Sequence, residues 1–275
     1  MLFIKTKWRI FNMNNYYFGN GNSKYKDVLT CLSTTEVKSY ETSSLPLAQF
    51  WNPDNKELKL FYKKCKAVGL DLSKGHRYFE YPTPCLDNEG KCLKNSHPSM
   101  TDLMIINDKE QIAIEGKYTE YSKGKYETIN EWLENKPHKK DIKDQWFKYI
   151  YDCGATKKTK IQNNIPYQFL HRTASACFCC SEKNPILIYQ LFYDSRNKSK
   201  KDEFISDLQK WAKELGFTKK IKFFIIEVEI KNIKEVKEKY DKNHADLFLI
   251  MRETEKPIYE FDWENIKVKE VISEK

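Results

Sequence analysis

The chain has 275 residues, of which 48 are lysine or arginine and 39 are aspartate or glutamate, so its formal net charge at pH 7 is +9. Hydrophobic residues make up 40% of the chain and the mean hydropathy is −0.74. These values exclude an integral membrane protein and an intrinsically disordered chain. The first residues, MLFIKTKWRIFNMNN, lack the order of a secretory signal, so we expect a cytoplasmic protein. The positive charge favours a polyanionic partner such as a nucleic acid.

Eight cysteines are spread along the chain, and three of them, Cys177, Cys179 and Cys180, cluster in an apolar stretch. Their spacing fits neither a zinc ribbon nor a ferredoxin, which disfavours the alternative of a zinc or iron–sulfur site. In a reducing compartment we expect mostly thiols, the majority of them buried as small apolar side chains.

The first part of the chain changes character near residue 54. Residues 1–53 are polar, aromatic and irregular, and they predict an N-terminal extension of loops with at most a short helix. Asp54 is a candidate N-cap for a helix over 54–67, and Gly69 is expected to end it. The segment HRYFEYPTP (76–84) predicts a strand that two prolines close.

The next two segments predict a β-hairpin. They are TDLMIIND (101–108) and QIAIEGKYTEY (111–121), with a tight turn between them. In the second segment Ile112 and Ile114 point to one face while Ala113 points to the other. Because both faces carry apolar residues, this strand is predicted to be central and buried on both sides. A charge on such a strand needs a partner or a metal ion.

The rest of the chain alternates helices and strands, which implies an α/β architecture with a mixed sheet flanked by helices. We predict a core over 54–200 and a C-terminal α/β extension over 201–275 that packs on the same domain. The predicted helices are 127–153, 165–181, 202–217 and 233–243, and the predicted strands are 185–194, 220–231 and one or two short strands at the end.

Three charged residues are expected to converge in the hairpin. Asp102 stands at the start of the first strand, and Glu115 and Lys117 share one face of the second. Two converging carboxylates would bind a hard cation such as Mg²⁺, with the backbone carbonyl of Gly116 as a third ligand. Lys117 would position an attacking water and stabilise the charge that grows on a phosphate. The alternative to a metal site is that these residues are ordinary surface residues of an exposed hairpin, with Glu115 and Lys117 forming a weak ion pair.

The pattern Asp-x12-Glu-x-Lys across a hairpin resembles the PD-(D/E)xK nuclease superfamily, which contains many restriction endonucleases. The shared core of that family is αβββαβ, and the predicted elements from 54 to 194 follow this order. Thr101 stands where the motif often has proline, at a position that varies in the family. The resemblance implies a restriction-endonuclease-like fold and hydrolysis of phosphodiester bonds in double-stranded DNA. It also implies catalysis by Asp102, Glu115 and Lys117 with Mg²⁺, for which Mn²⁺ would substitute.

Further residues are candidates for supporting roles. Glu80, on the strand before the hairpin, is a candidate third metal-binding carboxylate, because some family members use an upstream acid; the alternative is a solvated strand residue. Arg172 would contact a phosphate or cap a carboxylate. Lys157, Lys158 and Lys160 form a basic loop that would contact DNA if several basic segments lie on one side, although alone it is most simply a solvated loop.

Several other polar residues are expected to be structural. We predict a satisfied structural role for His171, packing and pairing for Gln190 and Tyr193, and a salt bridge for Glu120. Trp51 is expected to cap the core rather than stack on bases.

The function predicted from these residues is a type II-like restriction or host-defence endonuclease. Such an enzyme would act as a homodimer on a palindromic target, with a cognate DNA methyltransferase encoded nearby. A nuclease of repair, recombination or a mobile element is one alternative. The other is a non-catalytic DNA-binding protein that keeps the nuclease fold.

Overall fold

A computed structural model describes residues 16–18, 25, 28, 41–94, 96–120, 126–135, 139–155, 164–180, 182–215, 220–234, 238 and 257–271. Within these residues the chain has an α/β fold with eight strands in a mixed sheet and six helices, as its alternating elements predict. The strands are β1 (Tyr16–Phe18), β2 (His76–Thr83), β3 (Ser99–Ile106), β4 (Glu110–Lys117), β5 (Asn184–Tyr193), β6 (Lys222–Asn232), β7 (Tyr259–Phe261) and β8 (Lys267–Glu270). The helices are α1 (Ser44–Phe50), α2 (Leu58–Ala67), α3 (Ile129–Asn135), α4 (Lys140–Asp152), α5 (Tyr167–Cys177) and α6 (Lys198–Glu214).

The sheet order is β1-β2-β3-β4-β5-β6-β7, and β8 pairs with the same strand as β7. Strands β2, β3 and β4 form an antiparallel meander, whereas β4, β5 and β6 run parallel to one another. The parallel connection from β4 to β5 passes through α3, α4 and α5, as a crossover requires. The segment from α2 to β5 therefore runs helix, three strands, helices, strand.

The central strand β4 is buried on both faces, which confirms the prediction from its alternating residues. Ile112 and Ile114 face a core that includes Phe50 and the other apolar residues of α1 and α2. Ala113 faces the opposite core, which includes Trp132 and apolar residues of α3 to α6. The molecule is thus three layers, with the sheet between two helical layers.

Helix α2 begins later than predicted. It starts at Leu58, and Asp54 is not its N-cap, because Glu57 takes that position without a side-chain hydrogen bond. The backbone N–H of Asp54 is bonded instead to a side-chain oxygen in the preceding turn. The predicted end is confirmed: the helix stops at Ala67, and Gly69 follows in the left-handed region with φ +77°.

The predicted helix over 127–153 is two helices, α3 and α4, and the helix predicted over 165–181 is the shorter α5. Residues 1–53 contain a short helix, α1, as predicted, but also strand β1, which the prediction of loops missed because its pairing with β2 depends on a distant part of the chain. Trp51 beside α1 is fully buried. The predicted helix over 233–243 falls almost entirely outside the described residues. None of the helices that the structure describes is both long and apolar enough to cross a membrane.

The cysteines mostly follow the expectation of thiols. The free ones in the described ranges are Cys65, Cys85, Cys92, Cys177 and Cys179, of which three are buried. One pair departs from the expectation, because Cys153 and Cys180 form a disulfide. These two residues follow α4 and α5, whose C-terminal ends the packing brings together, a proximity that sequence spacing does not show.

Candidate active site

The β3–β4 hairpin opens at the position of Asp102. The last backbone pair of the ladder is Leu103 with Ile114, so Asp102 lies opposite Glu115 where regular pairing has ended. The carboxylate of Asp102 replaces a backbone carbonyl as hydrogen-bond acceptor at this point, because its Oδ2 accepts the backbone N–H of Gly116 at 2.8 Å. The two predicted metal-binding carboxylates therefore stand side by side on adjacent strands.

Glu115 is enclosed by two cations. Its Oε1 lies 2.9 Å from Nζ of Lys117, and its Oε2 lies 2.5 Å from Nε of Arg172. The side chain of Glu115 is 3% exposed, that of Lys117 9% and that of Arg172 12%. The contact of Oε2 with Nε is a close ion pair without the alignment of a hydrogen bond, since neither atom has a hydrogen-bond partner among the residues that the structure describes.

Arg172 reaches the site from α5 and bridges strands β3 and β4. Its Nη1 donates to Oγ of Ser99 at 3.0 Å and to the backbone carbonyl of Met100. Its Nη2 lies 3.9 Å from Oδ1 of Asp102. Of the two roles predicted for Arg172, the structure thus provides contact with carboxylates, and contact with a phosphate stays a prediction.

Burial and the neighbouring charges shift the pKa values of these four groups. Burial, followed by the negative charge of Glu115, raises the pKa of Asp102 well above its usual range, although Arg172 opposes this. Burial would also raise the pKa of Glu115, but Arg172 and Lys117 outweigh it and the pKa is lowered. Burial would lower the pKa values of Lys117 and Arg172, but Glu115 and Asp102 raise both. Lys117 and Arg172 therefore carry a positive charge at neutral pH.

Glu80 belongs to the same row of residues across the sheet. In the β2–β3 ladder Phe79 pairs with Leu103 and Tyr81 with Thr101, so Glu80 lies across from Asp102, where the pairing is interrupted. Its backbone has φ +49°, a conformation that non-glycine residues rarely adopt and that costs about 1–3 kcal/mol. Burial is the main cause of the raised pKa of Asp102, and the negative charge of Glu80 adds to it. Strained residues of this kind cluster at functional sites.

The donor set fits Mg²⁺. In the parts of the chain that the structure describes, no three His, Cys, Asp or Glu side chains are grouped so that they would hold a metal ion. Mg²⁺ in proteins, however, is usually bound through one or two carboxylates together with substrate phosphates and water. Asp102 and Glu115 provide such a pair. The N–H of Gly116 points to β3, and a strand residue directs its carbonyl to the same side, so we expect that carbonyl to point into the opening.

Sequence reasoning missed two residues of the site. Ser99 accepts a hydrogen bond from Arg172. It lies two residues before the predicted strand, and no sequence pattern there indicates a role in the site. Tyr189 lies next to Glu115 on the parallel strand β5 and is fully buried, and within the described parts of the chain its hydroxyl has no hydrogen-bond partner. Burial and then Glu115 raise its pKa well above the usual range. The register of β5 against β4 would have identified Tyr189, but this register cannot be derived from the two strands alone.

The remaining candidates have other surroundings. Oε1 of Gln190 accepts the indole N–H of Trp51 at 2.9 Å, and the ring of Tyr193 lies 4.3 Å from Nζ of Lys201. Glu120 accepts hydrogen bonds from the backbone N–H and hydroxyl of a serine in the segment before α1.

His171 is buried against Ser99, with Nδ1 2.9 Å from its Oγ, and burial lowers the pKa of His171 well below 6.5. The basic loop with Lys157, Lys158 and Lys160 lies outside the described residues.

Fold and site together define an α/β protein whose mixed sheet carries a buried cluster of two carboxylates and two cations at an opened hairpin. The family model described as a domain of unknown function, DUF6946, matches residues 23–256, and the chain belongs to this family. Neither a curated protein nor a solved structure matches the chain.

Proposed function

We propose that the protein is a divalent-cation-dependent DNA endonuclease similar to the PD-(D/E)xK enzymes. The observation that carries the proposal is the convergence of Asp102, Glu115 and Lys117 at the open end of the β3–β4 hairpin. The order of elements from α2 to β5 supports it, since it is the αβββαβ order of that superfamily. The distorted backbone of Glu80, across from Asp102, is a second indication of a functional site.

Each residue has a role in this chemistry. Asp102 and Glu115 would hold Mg²⁺ or Mn²⁺, which when bound supplies a water of lowered pKa and positive charge for the phosphate. The ammonium group of Lys117 orients the attacking water and stabilises the negative charge on the phosphoryl oxygens. The oxygen of the attacking water would bond to phosphorus and release a proton to solvent, while the bond from phosphorus to the 3′ oxygen breaks and that oxygen takes up a proton. This leaves a 5′-phosphate and a 3′-hydroxyl.

A non-catalytic DNA-binding role is the weaker candidate on energetic grounds. Burying charges costs free energy unless they are well paired, and apolar residues of similar volume often serve the stability of a core as well or better. A protein that only bound DNA would have no need for Glu115 and Lys117 in the interior. The buried charges are therefore better explained by chemistry than by stability.

The biological setting we propose is restriction or host defence. A homodimer acting on double-stranded DNA would place one active site on each strand, and a methyltransferase encoded nearby would protect the host. The net charge of +9 favours attraction to DNA. A nuclease of repair, recombination or a mobile element would use the same chemistry.

The test is cleavage of a mixed panel of plasmid and phage DNA at about 10 mM Mg²⁺ or Mn²⁺, enough to saturate a weak oxygen-ligand site. Glu115→Gln and Lys117→Met preserve side-chain size and should each lower the cleavage rate by about 100-fold or more. Glu89→Gln and Lys91→Met are matched controls, because Glu89 and Lys91 form an exposed pair with the same spacing. Both controls should cut like the parent.

The products separate the candidate functions. Discrete bands that both site variants lose would indicate a sequence-specific endonuclease. A smear that both lose would keep the chemistry but favour repair or non-specific defence. A parent that binds DNA in a gel shift and never cuts it, with Glu115→Gln binding equally well, would favour the non-catalytic alternative.

A further inference from the structure

The guanidinium of Arg172 lies between the two carboxylates to which the proposed function assigns a divalent cation. Its Nε lies 2.5 Å from Oε2 of Glu115, and its Nη2 lies 3.9 Å from Oδ1 of Asp102. Lys117 bonds the other oxygen of Glu115, Oε1. Both oxygens of Glu115 are therefore in contact with a cationic side chain.

We propose that Arg172 is the resident counter-ion of this site and competes with the divalent cation, which must displace the guanidinium from Glu115 in order to bind. The inference rests on the proposed function, because it assumes that Asp102 and Glu115 are the cation ligands. It adds a regulating residue to that site.

The competition follows from charge and burial. Two carboxylates that are largely removed from water need positive charge nearby, and in this conformation Arg172 and Lys117 provide it. A divalent cation placed against Oε2 of Glu115 would lie within a few ångströms of the guanidinium and would repel it. The carboxylate of Glu115 therefore cannot bind the divalent cation and keep its close contact with Arg172 at the same time.

The way Arg172 is anchored allows it to leave Glu115. The bonds to Ser99 and to the carbonyl of Met100 are made by Nη1, whereas the contact with Glu115 is made by Nε. The guanidinium can therefore turn away from Glu115 and keep its bonds to β3. Nε, which has no aligned hydrogen bond, loses least by this movement.

The test measures Mn²⁺ binding to the full-length protein without DNA, by calorimetry and by the electron paramagnetic resonance signal of free Mn²⁺. Arg172→Gln should bind Mn²⁺ about tenfold more tightly than the parent, because the competing charge is gone. Its melting temperature should rise more on addition of Mn²⁺ than that of the parent. Arg172→Lys keeps a charge and should stay closer to the parent.

Arg196→Gln is the matched control. Arg196 forms ion pairs with Asp194 and Glu41 outside the carboxylate cluster, and its side chain is 52% exposed. This variant should bind Mn²⁺ like the parent. Should Arg172→Gln fail to fold, the NMR signal of the Nε–H group of Arg172 in the parent, followed during a Mg²⁺ titration, tests the same point. Displacement from Glu115 must shift this signal, and an unshifted signal at saturating Mg²⁺ would overturn the competition.

Failure of the inference and failure of the proposed function look different. Mn²⁺ binding that Glu115→Gln abolishes, but that Arg172→Gln leaves unchanged or weakens, would overturn the competition and keep the cation site. Mn²⁺ binding that is absent from the parent and from Arg172→Gln alike, both without DNA and with a DNA fragment present, would overturn both.

Discussion

The tripeptide Glu-Gly-Lys occurs twice in this chain, at 89–91 and at 115–117, and the two copies have very different surroundings. The Glu–Lys distance is nearly the same, 2.8 Å between Lys91 and Glu89 and 2.9 Å between Lys117 and Glu115. The side chains of the first pair are 75% and 73% exposed, whereas those of the second are 9% and 3% exposed. Identical residues at equal distance thus form a solvated loop in one place and a candidate active site in the other.

The glycines show how the backbone separates the two copies. Gly90 has φ +81° in a turn that the side chain of Asp87 organises by accepting two backbone N–H groups. Gly116 lies in β4, where an added Cβ would be 3.3 Å from Cβ of Ser43. The second copy is buried in the sheet, and its Glu115 lies opposite Asp102 on the neighbouring strand. A Glu–Lys pair becomes part of a candidate active site when the fold excludes water from it and places further charged side chains beside it.

The largest expected effect is on stability when each lysine is removed. Lys117→Met leaves a buried carboxylate with one partner fewer and should lower the free energy of unfolding by about 3 kcal/mol or more. Lys91→Met should lower it by less than about 1 kcal/mol, because exposed pairs contribute little. Urea denaturation at neutral pH without divalent cation measures both. Equal losses would refute the claim that burial distinguishes the two copies.

A third Glu–Lys pair tests whether burial alone makes such a pair important. Glu227 is 2% exposed and pairs with Lys201 and Lys269. Burial would raise the pKa of Glu227, but its hydrogen bonds to the two lysines lower it below the ordinary value of 4.5. Because the folded state has the lower pKa, this stabilisation is complete above pH 4.5 and is lost as the pH falls through the folded pKa.

Glu227→Gln should therefore lower the free energy of unfolding at pH 7 by about 1.5–3 kcal/mol and flatten its decline below pH 4.5. Urea titrations between pH 3 and pH 7 check this, with Glu89→Gln as the control for loss of an exposed carboxylate. DNA cleavage at pH 7 should persist in the folded fraction of Glu227→Gln. Loss of cleavage there would extend the site beyond the β3–β4 hairpin.

Substituting alanine for Gly116 and for Gly90 separates a loss of stability caused by local backbone strain from a loss of Mn²⁺ binding at the site. Gly116→Ala should cost about 1–2 kcal/mol, because β4 or Ser43 must shift to make room. The shift moves the N–H of Gly116 relative to Asp102, so Mn²⁺ binding should also weaken. Gly90→Ala should cost about 1 kcal/mol through its left-handed backbone and leave Mn²⁺ binding unchanged. An unaltered Mn²⁺ affinity in Gly116→Ala would contradict the role given to this contact.

The smallest expected effect concerns salt. At about 1 M NaCl the Debye length is roughly 3 Å, so the stability difference between Lys91→Met and the parent should vanish. The difference for Lys117→Met should persist, because buried pairs are screened far less. Denaturation curves at low and high salt make the comparison, and equal salt sensitivity would indicate that water reaches Glu115.

Sequence patterns predicted those parts of the fold that depend on neighbouring residues. The hairpin, both faces of β4 and the end of α2 at Gly69 follow from period-two alternation and from glycine chemistry. The start of α2 was wrong because the cap candidate Asp54 lies in a turn that precedes the helix. The predicted helix over 127–153 is two helices, and Pro137 stands in the sequence between their bounds, a residue type that the interior of a helix does not accommodate.

The sequence alone was sufficient to indicate that Asp102, Glu115 and Lys117 lie close together. A hairpin pairs strands that are close in the sequence, and side chains along each strand alternate strictly between the two faces of the sheet. The partners of that cluster come from elsewhere. Arg172 arrives on α5, which is separated from β4 by two other helices, and Glu80 meets Asp102 through the register of another strand. Such contacts arise when distant elements pack and water is excluded between them, so the folded structure, and not the local pattern, sets the charge of the site.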